Sequence, residues 1–302
     1  MDVLSDVLAV MRTGRARSAQ VAWRAPWAQR FAAVPGSAGF HVVLRGTCAL
    51  LRDGAEPLLL GPGDIVFRPH GDGHTLADPA GTRPAAPACS PAEAGDLPRY
   101  AAVGTPGEAT TVTLCGAYEL HPEMVHPLIT DLPDLIHVPA GHQRLAATVD
   151  LLSAELITPG PGSGALIPAL LDTMLVHLLR AWLAGVHPSG WAAGLADPVT
   201  AAALRAIHRE PGRAWTVAAL AACAGLSRAP FARRFTDLLG RPPMAYLTWW
   251  RMTLAAGLLR DTDATVGDVA AQVGYRSEFA FAAAFKRRFG SPPGRYRRRH
   301  RL

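Results

Sequence analysis

Cysteine is scarce in this chain, with four residues in 302, and none of the four stands in a Cys-x-x-Cys spacing. That excludes a zinc ribbon, a thioredoxin-type motif and a disulfide scaffold. Cys48, Cys89, Cys115 and Cys223 read as reduced thiols of a cytoplasmic protein. No apolar run is long and clean enough to span a bilayer. The nearest, Ala165 to Trp182, is interrupted by Asp172, His177 and Arg180. The N-terminus lacks the basic region of a secretory signal, because Asp2 and Asp6 precede any basic residue. Lysine is nearly missing too: Lys286 is the one basic residue that is not arginine, a bias from which nothing follows.

Acidic residues are thin in one part of the chain. From Val199 onward there are 18 basic and 6 acidic residues, against 12 basic and 18 acidic before it. A net +6 therefore hides an acidic first part and a strongly basic last hundred residues. A basic segment of this kind suits a phosphate backbone; a solubilising surface is the plainer alternative. The composition is otherwise globular, with 49% hydrophobic residues and length enough for two cores.

The basic segment states one pattern twice. Val217, Leu220, Ala221, Gly225, Ser227, Phe231, Phe235, Gly240, Pro243 and Tyr246 recur as Val266, Val269, Ala270, Gly274, Ser277, Phe281, Phe285, Gly290, Pro293 and Tyr296. Each copy is a short helix, a glycine turn, a serine N-cap and a second helix, the grammar of a helix-turn-helix. Two copies predict a reader of two stretches of DNA major groove. On the helix opening at Ser227, Phe231, Phe235 and Leu238 are expected in the core. Ala229, Arg233 and Thr236 then face out, with Arg228 and Arg234 placed for phosphates. In the second copy Phe281, Phe285 and Phe289 point inward. Phe279, Ala283 and Lys286 point outward, flanked by Arg276, Arg287 and Arg288. Arginine suits guanine and an outward Phe suits thymine methyl groups. Met244 to Asp261 reads as a helical strut holding the two units apart.

Trp250-Arg251-Met252, Ala255, Leu258-Leu259, Val273-Gly274-Tyr275, Ser277-Glu278, Phe285-Lys286-Arg287-Arg288-Phe289-Gly290 and Pro293 resemble the AraC/XylS family of bacterial transcription regulators. The resemblance covers about 100 residues and implies two helix-turn-helix units on an asymmetric double-stranded DNA site, with contact to RNA polymerase. It places base-reading contacts at Ala229, Ala232 and Arg233. Many members carry arginine where this chain has Ala283, which leaves the second unit mainly phosphate contacts through Arg276, Lys286 and Arg287.

Before the repeats, short apolar runs separated by Gly, Pro and Asp predict a β-sandwich or barrel from Ala22 to about Ala140. A short helix precedes it and breaks at Gly14, and Gly81 to Gly107 reads as a long exposed loop holding Cys89. Helices are expected over His142–Ile157 and Ala165–Leu183, and a linker over Gly185–Asp197. The apolar stripe of the second helix (Leu171, Leu175, Leu178, Trp182) either packs on the barrel or forms the seam of a homodimer.

Gly63 to His74 resembles the second cupin motif, G-x5-P-x-G-x2-H, and the first part of the chain resembles the cupin-type effector domains of one AraC branch. The first cupin motif is mostly missing: Gly39 stands where its metal-binding Glu would fall. His41, two residues on, shares that inner face. His41, His74 and Cys115 thus form one candidate interior. Imidazole and thiolate would suit zinc. A small organic effector fits the same place, and two satisfied histidines beside a buried cysteine are the plain reading. Cys89 is open to either a redox role or none.

The expected architecture is α+β: a cupin-like sensor barrel over 1–140, a helical connector over 141–196 and an all-α double helix-turn-helix domain over 197–302. The expected function is a sequence-specific transcription regulator controlled by a small molecule, metal or redox signal in the cupin-like domain, an activator and homodimer. The alternative is a cupin-fold metal enzyme with secondary DNA binding.

Overall fold

A computed structural model describes residues 2–11, 16–79, 81–84, 88–89, 99–104, 108–120, 125–185 and 190–300. The expected break at Gly14 and most of the Gly81–Gly107 segment lie outside these. The chain packs as two compact units, and neither is continuous in sequence.

One unit, Arg12–Pro122 with Leu132–Val186, is a two-sheet barrel with helices on one side. Its strands are β1 (Arg17–Trp23), β2 (Ala28–Phe31), β3 (Ser37–Arg45), β4 (Cys48–Leu51), β5 (Leu58–Leu60), β6 (Ile65–Arg68), β7 (His74–Ala77), β8 (Tyr100–Gly104), β9 (Thr111–Glu119) and, after the short helix α2 (Pro127–Thr130), β10 (Ile136–Val138). One sheet runs β10-β6-β3-β9-β1-β8 and the other β2-β7-β4-β5; among the described strands β1 and β8 pair in parallel and the others antiparallel. The segment expected as one long loop thus contributes β8.

Alternation along β3 divides the barrel. Val43 and Val66, which projects from the same face of the adjacent strand, meet Cys48, Leu50, Leu60 and Leu76 of the second sheet in a buried cluster capped by Trp27. The other face carries Phe40, Val42, Leu114 and Tyr118, and is covered by α3 (Gln143–Ile157) and α4 (Ser163–Leu183). The Tyr118 hydroxyl donates to the Leu171 carbonyl at 2.7 Å. A side chain at Gly116 would place its Cβ 2.3 Å from the Phe40 ring, which is why β9 has glycine there. α4 is long and apolar enough to cross a membrane, but Ile167, Leu171, Met174, Leu175 and Leu178 are buried inside this unit. The stripe therefore packs within its own chain, and α3 and α4 belong to the barrel instead of forming a connector.

The other unit joins Met1–Met11 and Glu123–Asp131 to His187–Leu302. It holds α1 (Val3–Met11), α2, α5 (Gly190–Ala196), α6 (Pro198–Arg209), α7 (Val217–Cys223), α8 (Arg228–Leu239), α9 (Pro243–Asp261), α10 (Val266–Gln272), α11 (Glu278–Phe289) and α12 (Pro293–His300). The expected linker is in part helix α5. Trp191 is buried, and its backbone N–H donates to the Asp131 carboxylate at 2.8 Å.

A buried polar relay joins these separate segments. The Leu128 N–H donates to His126 Nδ1 at 2.9 Å, so the imidazole proton sits on Nε2 and is donated to the Tyr246 hydroxyl at 3.1 Å. That hydroxyl donates to His208 Nε2 at 2.7 Å, and His208 Nδ1–H donates to the Asp6 carboxylate at 3.1 Å. Burial holds His126 well below the usual imidazole range and brings His208 down to about 3. Both rings are neutral at pH 7.

Because their folded-state pKa values lie below the unfolded value of 6.5, both histidines contribute stability that is complete above pH 6.5 and lost as pH falls below it. Each should contribute a slope of about 1.4 kcal/mol per pH unit below that point. Urea unfolding at pH 7.5, 6.5 and 5.5 checks this. His126→Gln should lower stability at pH 7.5 yet flatten the pH dependence; an unchanged slope would show that His126 is not held neutral.

Candidate functional site

The repeated segments fold as two helix-turn-helix units, α7–α8 and α10–α11. Thr216 caps α7 by accepting from the Ala219 N–H at 3.1 Å, and Thr265 forms a reciprocal capping box with Asp268 at α10. Both turns place glycine at positive φ, Gly225 at 70° and Gly274 at 84°. At Gly274 a Cβ would also lie 2.5 Å from the Gly212 carbonyl oxygen. Ser277 caps α11 through the Ala280 N–H at 3.4 Å, whereas the Ser227 side chain makes no capping bond.

α8 buries Phe231, Phe235 and Leu239. Leu239, one helical turn beyond Phe235, takes the core position expected of Leu238, which is half-buried. Ser227, Arg228, Ala229 and Arg233 are exposed, and Ala232 and Thr236 half-buried. Arg234, expected to serve phosphates, is exposed, and its guanidinium bonds the buried carboxylate of Asp197, the N-cap of α6. On α11 Phe281 and Phe285 are buried while Phe289 is only partly so. Arg276, Ser277, Ala283, Lys286 and Arg287 are exposed, and Phe279 is 90% exposed. The exposed α12 arginines Arg295, Arg298 and Arg299 add charge that sequence reasoning left unassigned.

α9 is the strut, with 19 residues spanning about 28 Å. It is fixed to both units. Arg251 Nε donates to the Pro211 carbonyl at 2.7 Å and its Nη2 to that of Arg213 at 2.8 Å, ahead of α7. Arg297 of α12 donates to the Leu259 carbonyl at 3.2 Å.

The barrel holds a cavity of about 220 Å³ lined by His41, His74 and Cys115, among others. His41 and His74 meet Nε2 to Nε2 at 2.7 Å. His74 Nδ1 donates to the Asp72 carbonyl at 3.3 Å, so its Nε2 accepts and His41 Nε2 donates. His41 Nδ1 is then an acceptor, buried and without a partner. The Phe31 ring stacks on His74 with centroids 4.9 Å apart. Burial pushes His41 well below its usual range and His74 to about 4. Cys115 pairs in register with His41. Its thiol donates to the Ala19 carbonyl at 3.4 Å, and burial pushes it up to about 12. Cys89 is exposed as expected but pinned to β2: its N–H donates to Arg30 and its carbonyl accepts from Ala32.

Arg17 and Arg68 line the same cavity and were missed by sequence reasoning. All four residues of β6 are buried, so alternation does not single out Arg68.

These residues do not fit a resident zinc. Two imidazoles on one tetrahedral zinc stand about 3.3 Å apart, farther than the 2.7 Å here. The Arg68 charge acts on both rings and opposes a cation there. No group of three His, Cys, Asp or Glu side chains able to hold a metal occurs among the described residues.

Residues 2–184 match the family described as Cupin, and residues 220–299 that described as Helix-turn-helix domain. The chain is 40% identical to a Streptomyces lividans protein named as an AraC-like transcription regulator, over 99% of this chain and 98% of that one. It is 29% identical to the HTH-type transcriptional regulator AlkR of Acinetobacter baylyi, over 98% and 99%. It is 30% identical to the RCS-specific HTH-type transcriptional activator RclR of Escherichia coli, over 87% and 84%. Among solved structures, the DNA-binding domain of AdpA in complex with a target DNA is 36% identical, covering 34% of this chain and 92% of that one with a TM-score of 0.32. ToxT of Vibrio cholerae is 10% identical over 96% and 99%, with a TM-score of 0.37.

Elemental analysis of protein purified without chelators should find zinc far below one per chain, and His74→Ala should leave that content unchanged. Stoichiometric zinc lost in His74→Ala would show that the two rings open to take it.

Proposed function

The chain belongs to the AraC-like transcription regulators, and we propose that a small organic effector in the barrel cavity sets how its two helix-turn-helix units engage an asymmetric DNA site. It is a DNA-binding regulator and not an enzyme. The observation that carries the effector reading is the barrel cavity, with its paired neutral imidazoles and the orphaned acceptor of His41. A redox signal fits less well. The Cys115 thiol is held protonated, and thiolate is the reactive form, so a redox signal would have to act through the exposed Cys89. The name of RclR speaks of that protein's own signal.

In this reading Ala229, Ala232, Arg233 and Thr236 of α8 face base edges, with Ser227 and Arg228 at the backbone. Phe279 of α11 meets a thymine methyl, with Ser277 beside the backbone. Arg276, Lys286 and Arg287 hold phosphates, and their exposure supports it. Activation through RNA polymerase and a cytoplasmic location belong to the same proposal. So does a homodimer, supported by Leu151 and Ile157 of α3 and Leu166 of α4, which are 60%, 55% and 47% exposed.

Arg233→Ala should cost about 1–3 kcal/mol on the specific site and relax base preference. Arg287→Ala should weaken specific and random DNA alike and flatten the salt dependence. Binding titrations on both DNAs at several salt concentrations check this; equal losses on both for Arg233→Ala would remove its base-reading role. For the dimer, Leu151→Glu should shift the mass from light scattering to that of one chain.

A further inference from the structure

The sheet register sets the chemistry of the cavity. Arg68 pairs with Gly39, Gly39 with Ala117, and Ala117 with Arg17, one row across β6, β3, β9 and β1. Paired residues project from the same face. The next row holds His41 and Cys115, which line the cavity, so the arginine row faces it as well. Two arginines therefore bracket a floor of glycine and alanine, with α-carbons about 14 Å apart over three strand spacings.

Both arginines have unmade bonds. Arg68 is 5% exposed, and its Nε and Nη1 are buried without a partner. Its Nη2 reaches Asp72 only at 3.4 Å. Arg17 Nε is likewise buried without a partner. A guanidinium taken from water with donors unmade is costly, and the groups that satisfy it best are planar oxyanions. Among the described lining residues, Arg17 and Arg68 stand against one carboxylate, that of Asp72, and both imidazoles are neutral. The cavity is therefore electropositive, which disfavours an amine. Phe31, Val34 and Ala19 make the rest of its lining apolar.

We propose that the cavity binds a small organic monocarboxylate, its head held by Arg68 and Arg17 and its apolar body against Phe31 and Val34. His41 Nδ1 is the acceptor for a donor group on the ligand. This rests on the reading of the cavity as the effector site, and deepens it by naming the chemistry.

The test uses the full chain, with phenylacetate and hexanoate as probes and their uncharged amides as controls, at about 10 mM. The acids should raise the Tm of the wild type and the amides should not. Arg68→Met should abolish the gain. In protein without ligand it should itself raise Tm by about 2–4 °C, because it removes a buried charge with unmade bonds. Arg17→Gln, at a half-buried position, should reduce the gain without loss of the fold. Equal gains from acids and amides would overturn the carboxylate and leave the effector site standing. No gain from either acid, or a fall in Tm for Arg68→Met alone, would show that Arg68 is structural and overturn the proposal. Arginine-dependent binding of the acids with unchanged DNA affinity would keep the carboxylate site and remove the effector role.

Discussion

One buried hydroxyl organises the C-terminal unit. Tyr246 donates to one imidazole and accepts from another, and those rings belong to segments far apart in sequence. In a low-dielectric core each such bond is strong, and each unmade one is costly. Four chain segments are consequently held together by a single chain of donors that runs in one direction, from the Leu128 N–H to the Asp6 carboxylate. The second repeat has a tyrosine at the same place, Tyr296, but it sits among Phe285, Phe289 and His300.

The barrel shows how register turns sequence into an electrostatic field. At one end of its interior Val43, Val66 and Leu50 close the space with apolar atoms. At the other, small residues leave room and arginines supply charge. No additional element is needed to make that division; it follows from which residues stand opposite each other in β6, β3, β9 and β1.

Much of this was legible in the sequence because the signals were local. The paired Gly, Ser, Phe and Pro positions marked both helix-turn-helix units, and alternation from Gly39 set His41 on the inner face where His74 meets it. What was hidden depended on distant partners. Nothing near Val3 shows that α1 packs with residues two hundred positions away, and Trp191 looked like part of a linker because the carboxylate of Asp131 that receives its N–H lies 60 residues earlier. Arg234 resembled its exposed neighbours until Asp197 was seen beside it. Arg17 and Arg68 escaped for a related reason: an arginine in a strand reads as surface unless the pairing register is known.

The interleaving of the two units has a consequence for synthesis. Asp6 bonds a residue 202 positions later, so α1 leaves the ribosome long before its partner exists. Val3, Val7 and Leu8, buried in the finished protein, remain open to water and to chaperones while the whole barrel is translated. A chain that stops before α6 therefore displays that apolar face permanently.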